Sequence, residues 1–214
     1  MNEAFHNVFR DGKQLYTLSF DPGQRVYGER LLKHNSGELR QWDPNRSKLA
    51  AAILKGLKKF PFEAGTGVLY LGAAQGTTPS HVSDVVNKGV VVCVEISQKA
   101  FEKLLPLCER RENMVPVLAD ANQPGEYADY LDGVSVVYQD VAQPNQAAIF
   151  VKNMAKIKGY GILCIKARSV NVAELPKNVF KREIKVLEDA GLDVLEVIPL
   201  EPFEKDHVLV VCKN

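Results

Sequence analysis

Apolar residues along the chain follow two rhythms, and the change between them falls near residue 42. Over roughly the first forty residues apolar and polar positions alternate, as they do in half-buried strands. Val8-Phe9 and Leu15-Tyr16 flank an Asp11-Gly12 pair, a combination that favours a tight hairpin. Asn35-Ser36-Gly37 marks a second turn. Residues 1–42 are therefore predicted to form a small antiparallel β unit. Trp42-Asp43-Pro44 interrupts the extended pattern. The segment 47–57, dense in Ala, Leu and Lys, is predicted to be a helix, with Asp43 or Asn45 as its cap and Pro44 in its first turn.

From Gly67 onward short apolar runs alternate with longer helical stretches. The runs lie at 68–71, 90–95, 115–119, 134–139, 160–167, 193–199 and 207–212. Helical patterns at 97–110, 145–156 and 179–190 separate several of them. This alternation predicts a largely parallel sheet covered by helices on both faces. The last two runs are joined by the loop 200–206 alone, so they are predicted to be antiparallel neighbours. Residues 43–214 thus read as an α/β, doubly wound, mostly parallel seven-stranded Rossmann-like sheet with one antiparallel strand, the methyltransferase variant of that fold.

Composition narrows the setting. Of the 214 residues, 46% are hydrophobic and 25% charged, enough for one domain with a sizeable core plus a small appendage. The 27 basic and 26 acidic residues leave a net charge of +1, so any nucleic acid is expected to be held partly by other molecules. The 4 cysteines sit in apolar or helical runs without metal-ligand spacing and read as reduced, buried thiols. The start carries charges among its apolar residues, unlike a secretory leader, and no apolar run reaches membrane-spanning length. A cytoplasmic protein is expected.

The candidate chemistry lies where strands end. The run Val68-Leu69-Tyr70-Leu71 leads into Gly72-Ala73-Ala74-Gln75-Gly76-Thr77-Thr78, a small-residue turn before a helical segment expected at 79–87. In a doubly wound sheet such a turn lies at the carboxyl edge, where ligands bind. Its glycines admit a close backbone approach, and the helix start offers amides to an anion. Glu95 ends the next strand at about the 20-residue spacing of a carboxylate that grips ribose hydroxyls. Asp120 and Asp140 close the two strands after that. A nicotinamide site uses the same edge, but it asks for G-x-G-x-x-G, whereas here Gly72 is followed by Ala74 and by Gly76 one place early. That departure, with acids on the third and fourth strands, favours S-adenosylmethionine over a nicotinamide.

Four segments carry a more specific resemblance: Arg46-Ser47-Lys48-Leu49-Ala50-Ala51-Ala52-Ile53, the glycine turn through His81, Tyr138-Gln139-Asp140-Val141-Ala142-Gln143-Pro144, and Ile165-Lys166-Ala167-Arg168-Ser169. Together they resemble fibrillarin, the methyltransferase of box C/D guide-RNA particles, over nearly the whole chain. Without the Gly/Arg-rich extension of nucleolar fibrillarins, the sequence is similar to the archaeal form. The resemblance implies an S-adenosylmethionine site made by Thr77 and Thr78 with the turn residues Gly72 and Ala73. Glu95 and Ile96 would lie at its ribose, Asp120 and Ala121 near the adenine, and Asp140, Val141, Ala142 and Gln143 beside the methionine end. It implies a catalytic set of Lys48, Asp140, Lys166 and His207 for ribose 2′-O-methylation of ribosomal and transfer RNA. The implied partners are guide and target RNA, a Nop-family scaffold protein and a kink-turn-binding ribosomal-type protein.

Methyl transfer from a sulfonium to an alcohol is an in-line displacement, so the protein must place the hydroxyl, take its proton and exclude water. Placement can contribute up to about 7–11 kcal/mol, and a matched base about 10²–10⁴-fold. Lys166 is the expected base, since it ends the apolar strand Gly161-Ile162-Leu163-Cys164-Ile165. Burial beside a cation favours its neutral amine, whereas Asp140 favours the ammonium, and the residues alone leave that balance open. Arg168, Lys177, Lys181, Arg182 and Lys185 form a basic stripe that RNA could use, diluted by Glu183 and Glu188. A nicotinamide-dependent oxidoreductase and a non-catalytic assembly subunit remain the alternatives.

Overall fold

The computed structural model describes residues 1–214. Strands β1 (Asn2–Phe5), β2 (Val8–Asp11), β3 (Gln14–Leu18), β4 (Leu31–His34) and β5 (Gly37–Trp42) form an antiparallel sheet in the order β1-β2-β3-β5-β4. The β2–β3 hairpin turns where the Asp-Gly pair predicted it: Asp11 pairs with Gln14, leaving Gly12, at φ +58°, and Lys13 in the loop. Helix α1 (Lys48–Leu54) begins one residue later than expected. Its cap is Ser47, whose hydroxyl accepts the amide of Ala50 at 3.4 Å, and not Asp43 or Asn45. Asp43 is occupied instead in closing its own turn, accepting the Asn45 amide at 2.9 Å.

The rest largely alternates between strand and helix: β6 (Gly67–Leu71), α2 (Thr77–Val85), β7 (Val90–Glu95), α3 (Gln98–Arg110), β8 (Met114–Leu118), β9 (Val134–Gln139), α4 (Gln146–Met154), β10 (Tyr160–Lys166), α5 (Ala167–Val170), α6 (Pro176–Asp189), β11 (Asp193–Pro199) and β12 (His207–Lys213). The sheet order is β11-β12-β10-β9-β6-β7-β8. Strands β6 to β10 are mutually parallel, and β12 runs against both β10 and β11. The last two strands are antiparallel neighbours, as their short connection predicted, and the reversed one, β12, lies inside the sheet between β10 and β11. The physical reason is visible in β12 itself. Val208 to Cys212 are all buried, so it needs a neighbour on each side and a layer on each face.

Alternation along each central strand divides the core between the two faces. Val68, Tyr70, Val91, Cys93, Ile162 and Cys164 pack on one side with α1 residues, while Leu69, Leu71, Val92, Val94, Leu163 and Ile165 pack on the other with α4 residues. All four cysteines are free and buried. No helix is long and apolar enough to cross a membrane.

The amino-terminal sheet is joined to α2 by buried charge. Arg40 bridges Glu29 at 2.6 Å and Asp84 at 2.7 Å, and Arg111 reaches the other oxygen of Asp84 at 2.7 Å. Asp84 also accepts the Thr17 hydroxyl at 2.6 Å and the Phe20 amide at 2.9 Å. Because Thr17 spends its proton there, its oxygen must accept from Nδ1 of His81, 2.7 Å away, leaving Nε2 to face the Tyr27 hydroxyl at 2.7 Å. Burial, then Arg40 and Arg111, push the His81 pKa far down, which keeps the ring neutral where it stacks on Trp42.

Removing Asp84 would strand two guanidinium groups in the interior. Asp84→Ala is expected to lose about 3–5 kcal/mol of stability, read as a lower denaturant midpoint. A loss near 1 kcal/mol would mean that water reaches the network.

Candidate active site

The carboxyl ends of β6, β7, β9 and β10 meet around one cavity of about 400 Å³. Its walls are Gly72, Ala74, Val94, Glu95, Ile96, Ala119, Asp120, Ala121, Asp140, Val141, Ala142, Gln143, Ile149 and Lys166. The volume lies within the range of small-ligand sites, about 300–1,000 Å³. Ala73, Thr77 and Thr78, also predicted for the site, line an adjoining recess of about 280 Å³ together with Arg46, Gln75 and others. Gly72, Ala74 and Asp140 belong to both spaces, so Asp140 stands at their junction.

The turn after β6 is built by exclusion. Gly72 has φ +82°, and a Cβ there would lie 2.9 Å from the carbonyl oxygen of Asp140. Only a glycine lets the β6 and β9 ends close to this degree. Ala74 is also left-handed, at φ +49°, and its amide donates to Oε2 of Glu95 at 2.7 Å. Oε1 of Glu95 accepts the Ser97 amide at 2.8 Å. Glu95 thus holds the turn and the start of α3 while lining the cavity, and each oxygen keeps acceptor capacity to spare. Gly76, at φ +87°, launches α2 at Thr77, two residues before the expected start.

Asp120 lies two residues beyond the end of β8, where Oδ1 accepts the Asn122 amide at 2.8 Å and fixes the turn. Ile96 is 56% exposed and offers an apolar surface at the cavity rim.

Charge concentrates at Asp140. Its Oδ1 lies 2.8 Å from Nζ of Lys166 and its Oδ2 3.2 Å from Nζ of Lys48. Lys166 directs its hydrogen bond to the main-chain oxygen of Asp140 at 3.0 Å, so its contact with Oδ1 is ionic and poorly aligned. Lys48 has a second acid, Glu204, at 3.8 Å. Burial is the largest influence and opposes the Lys48 charge, but Asp140, Cys164 and Glu204 together outweigh it and hold the pKa above the ordinary lysine value. The three side chains are 14–17% exposed, open enough for a reactant to reach them. Beneath them Tyr70 and Tyr138 stack with centroids 4.5 Å apart, and burial pushes Cys164 up to about 12. These groups stay protonated.

Of the four residues expected to act together, the structure brings Lys48, Asp140 and Lys166 into contact. His207 pairs with Lys166 across the β10–β12 ladder, but its Nδ1 engages the Lys205 carbonyl at 2.5 Å and it lines neither space. Ala74, Val94, Ala119, Ile149, Arg46, Gln75 and Glu204 escaped the sequence reading. Apart from Ala74 and Gln75, which lie inside the recognised turn, no local signal marks them. Three members of the basic stripe are neutralised in place: Arg168 pairs with Asp206 at 3.0 Å, Arg182 pairs with Glu174 and lies 3.7 Å from Glu183, and Lys185 pairs with Asp189 at 2.7 Å.

A parallel sheet with one strand reversed inside it, an acid-edged cavity at its carboxyl ends and a glycine turn over that cavity define the S-adenosylmethionine-dependent methyltransferase class. Within that class the assignment is narrower. The fibrillarin family model matches residues 1–214, and the chain belongs to the fibrillarin family. It is 47% identical over 219 residues to the fibrillarin-like rRNA/tRNA 2′-O-methyltransferase of Methanocaldococcus jannaschii, covering 99% of this chain and 95% of that protein. The crystal structure of Aeropyrum pernix fibrillarin with natively bound S-adenosyl-L-methionine superposes with a TM-score of 0.86 at 45% identity, covering 93% of this chain and 88% of that one. A fibrillarin in complex with Nop5p superposes with a TM-score of 0.91 at 38% identity, over the whole of both chains.

Gly72→Ala is expected to cost at least about 1–2 kcal/mol, the penalty of left-handed backbone for an L-residue, with the clash against the Asp140 carbonyl adding to it. The denaturant midpoint reports this, and a wild-type value would show that the turn accepts a Cβ.

Proposed function

We propose that this chain is the catalytic subunit of a box C/D guide-RNA particle, using S-adenosylmethionine to methylate ribose 2′-hydroxyls of ribosomal and transfer RNA. The observation that carries this reading is the Lys48–Asp140–Lys166 cluster at the mouth of the cavity. It sets two ammonium groups and one carboxylate where a neutral alcohol must lose a proton. In this reading residues 43–214 are the methyltransferase unit and residues 1–42 brace it. Guide and target RNA, a Nop-family scaffold protein and a kink-turn-binding protein complete the particle. Guide pairing would then choose the target, which suits a chain whose net charge is only +1.

The residues fit the cofactor. Glu95 would offer acceptors to the ribose hydroxyls with Ile96 beside it, Asp120 and Ala121 would lie near the adenine, and Asp140, Val141, Ala142 and Gln143 would hold the methionine end. Gly72, Ala73, Thr77 and Thr78 form the turn that lets the backbone approach. When bound, S-adenosylmethionine supplies a methyl group already activated on a sulfonium. Asp140 orients the two lysines. Lys48, with two acids against it, stays an ammonium and balances the carboxylate. Lys166, as a neutral amine, would take the 2′-hydroxyl proton at Nζ and become the ammonium that the Asp140 carboxylate beside it balances. His207 supports Lys166 from the neighbouring strand.

Two measurements test this. Glu95→Ala should weaken S-adenosylmethionine binding by roughly 10- to 150-fold, the equivalent of about 1.5–3 kcal/mol for hydrogen bonds to a charged group. Unchanged affinity by calorimetry would show the strand-edge acids to be misassigned. In a reconstituted particle, Lys166→Ala should slow single-turnover methylation by about 10²–10⁴-fold with little change in cofactor affinity. Lys166→Arg should be nearly as slow, because a guanidinium does not give up its proton at working pH. The wild-type rate should climb with pH, and the Ala variant should lose that limb. Wild-type rate and pH dependence in Lys166→Ala would remove the lysine from the mechanism and leave positioning alone.

A further inference from the structure

A second recess lies on the amino-terminal unit, and it differs from the cofactor cavity in its charge. It measures about 670 Å³ and is lined by Arg25, Arg30 and Arg46 with Tyr27, Glu29 and Asp43 among its other walls. The two acids do not neutralise the three arginines. Glu29 is buried and already paired with Arg40 at 2.6 Å, and Asp43 is turned toward Asn45. Arg25, Arg30 and Arg46 are exposed, and none of them joins an ion pair. Arg25 donates only to the Glu29 carbonyl at 3.0 Å, and the Arg46 guanidinium lies 5.2 Å over the Tyr27 ring. Three unpaired guanidinium groups around one concave surface form an unsatisfied donor set of the kind that phosphate oxygens complete.

Position adds the second argument. Arg46 lines this recess and also the smaller one that Asp140 and Thr77 share. It sits just before Ser47, the cap of α1, and two residues before Lys48, whose ammonium meets Asp140. Arg46 therefore connects the arginine recess to the reactive cluster along one continuous surface. A polyanion lying in the recess would pass directly beside Lys48 and Lys166.

We infer that this recess binds backbone phosphates of the RNA strand that carries the target ribose, next to the nucleotide being methylated. The inference rests on the proposed RNA methylation and adds to it a docking site outside the cofactor cavity. It also accounts for RNA engagement by a chain with almost no net charge: the basic excess is local. The stripe along Arg168 and α6, by contrast, has spent three of its charges on neighbouring acids.

The test compares the reconstituted particle with Arg25→Gln/Arg30→Gln and with Arg46→Gln. Target-RNA binding is followed by fluorescence anisotropy across a salt series, and single-turnover methylation is followed on the same samples. Each phosphate deprived of its arginine should reduce the slope of log K against log salt by about 0.7. The double variant should thus have a slope shallower by about 1.4 and require several-fold more target RNA for half-maximal rate. Its rate at saturating RNA and its S-adenosylmethionine affinity should match the wild type. Arg30→Gln alone, which removes no internal bond, should still lower the slope by about 0.7 and guards against a folding artefact. Unchanged slopes would overturn the inference. So would variants that bind target RNA normally but fail to assemble, since the recess would then serve an acidic protein surface. A wild-type particle that binds RNA without methylating it would count against the proposed activity, while the slope comparison would still decide the recess.

Discussion

Asp84 is fully enclosed, and both of its oxygens are engaged: Oδ2 by Arg40 and Thr17, Oδ1 by Arg111 and the Phe20 amide. Charges taken this far from water are tolerated when they are paired and hydrogen-bonded, and here the donors come from three separate parts of the chain. Arg40 belongs to β5, Thr17 to β3, and Arg111 follows α3. The carboxylate therefore locks α2 between the amino-terminal sheet and the third layer of helix. Since α2 begins at Gly76, the same lock sets where the glycine turn sits relative to the ends of β7 and β9. The site inherits its rigidity from a network remote from its chemistry.

The edge of the sheet then concentrates acids and cations with little backbone freedom. Gly72 permits β6 to approach the Asp140 carbonyl, and Glu95 fixes the neighbouring turn through two amides. Asp140 is held by the amide it donates to Leu71 at 2.9 Å, so its side chain projects from a rigid strand end. That rigidity matters for an ion cluster with an odd charge. One carboxylate between two lysines cannot satisfy both equally, and the asymmetry is visible in the second acid beside Lys48 and in the main-chain bond of Lys166.

The charge distribution follows the same division between local and global. The chain is close to neutral as a whole, yet Arg25 and Arg30 of the amino-terminal unit and Arg46 just after it face a shared hollow unpaired. Arg182 and Lys185 of the exposed helix α6, by contrast, sit beside acids of their own helix or the preceding loop. Net charge alone is a poor guide to where a polyanion would lie, because pairing removes some charges from the field and leaves others free.

The sequence by itself determined the alternation of strands and helices, the β character of residues 1–42, the glycine turn, and the acids at successive strand ends. These are local consequences of period-two and period-3.6 patterning and of residues with restricted backbone choices. The four recognisable segments also carried the cofactor and the lysine–aspartate set. The threading of β12 between β10 and β11, the cap at Ser47, the second acid beside Lys48 and the Asp84 network were decided only by tertiary structure. The two readings differ for a physical reason. A hydrophobic period tells a residue which face to bury, but not which strand lies next to it. Ion pairs such as Arg40–Asp84 join positions 44 residues apart, and their energy exists only after the fold has removed both charges from water.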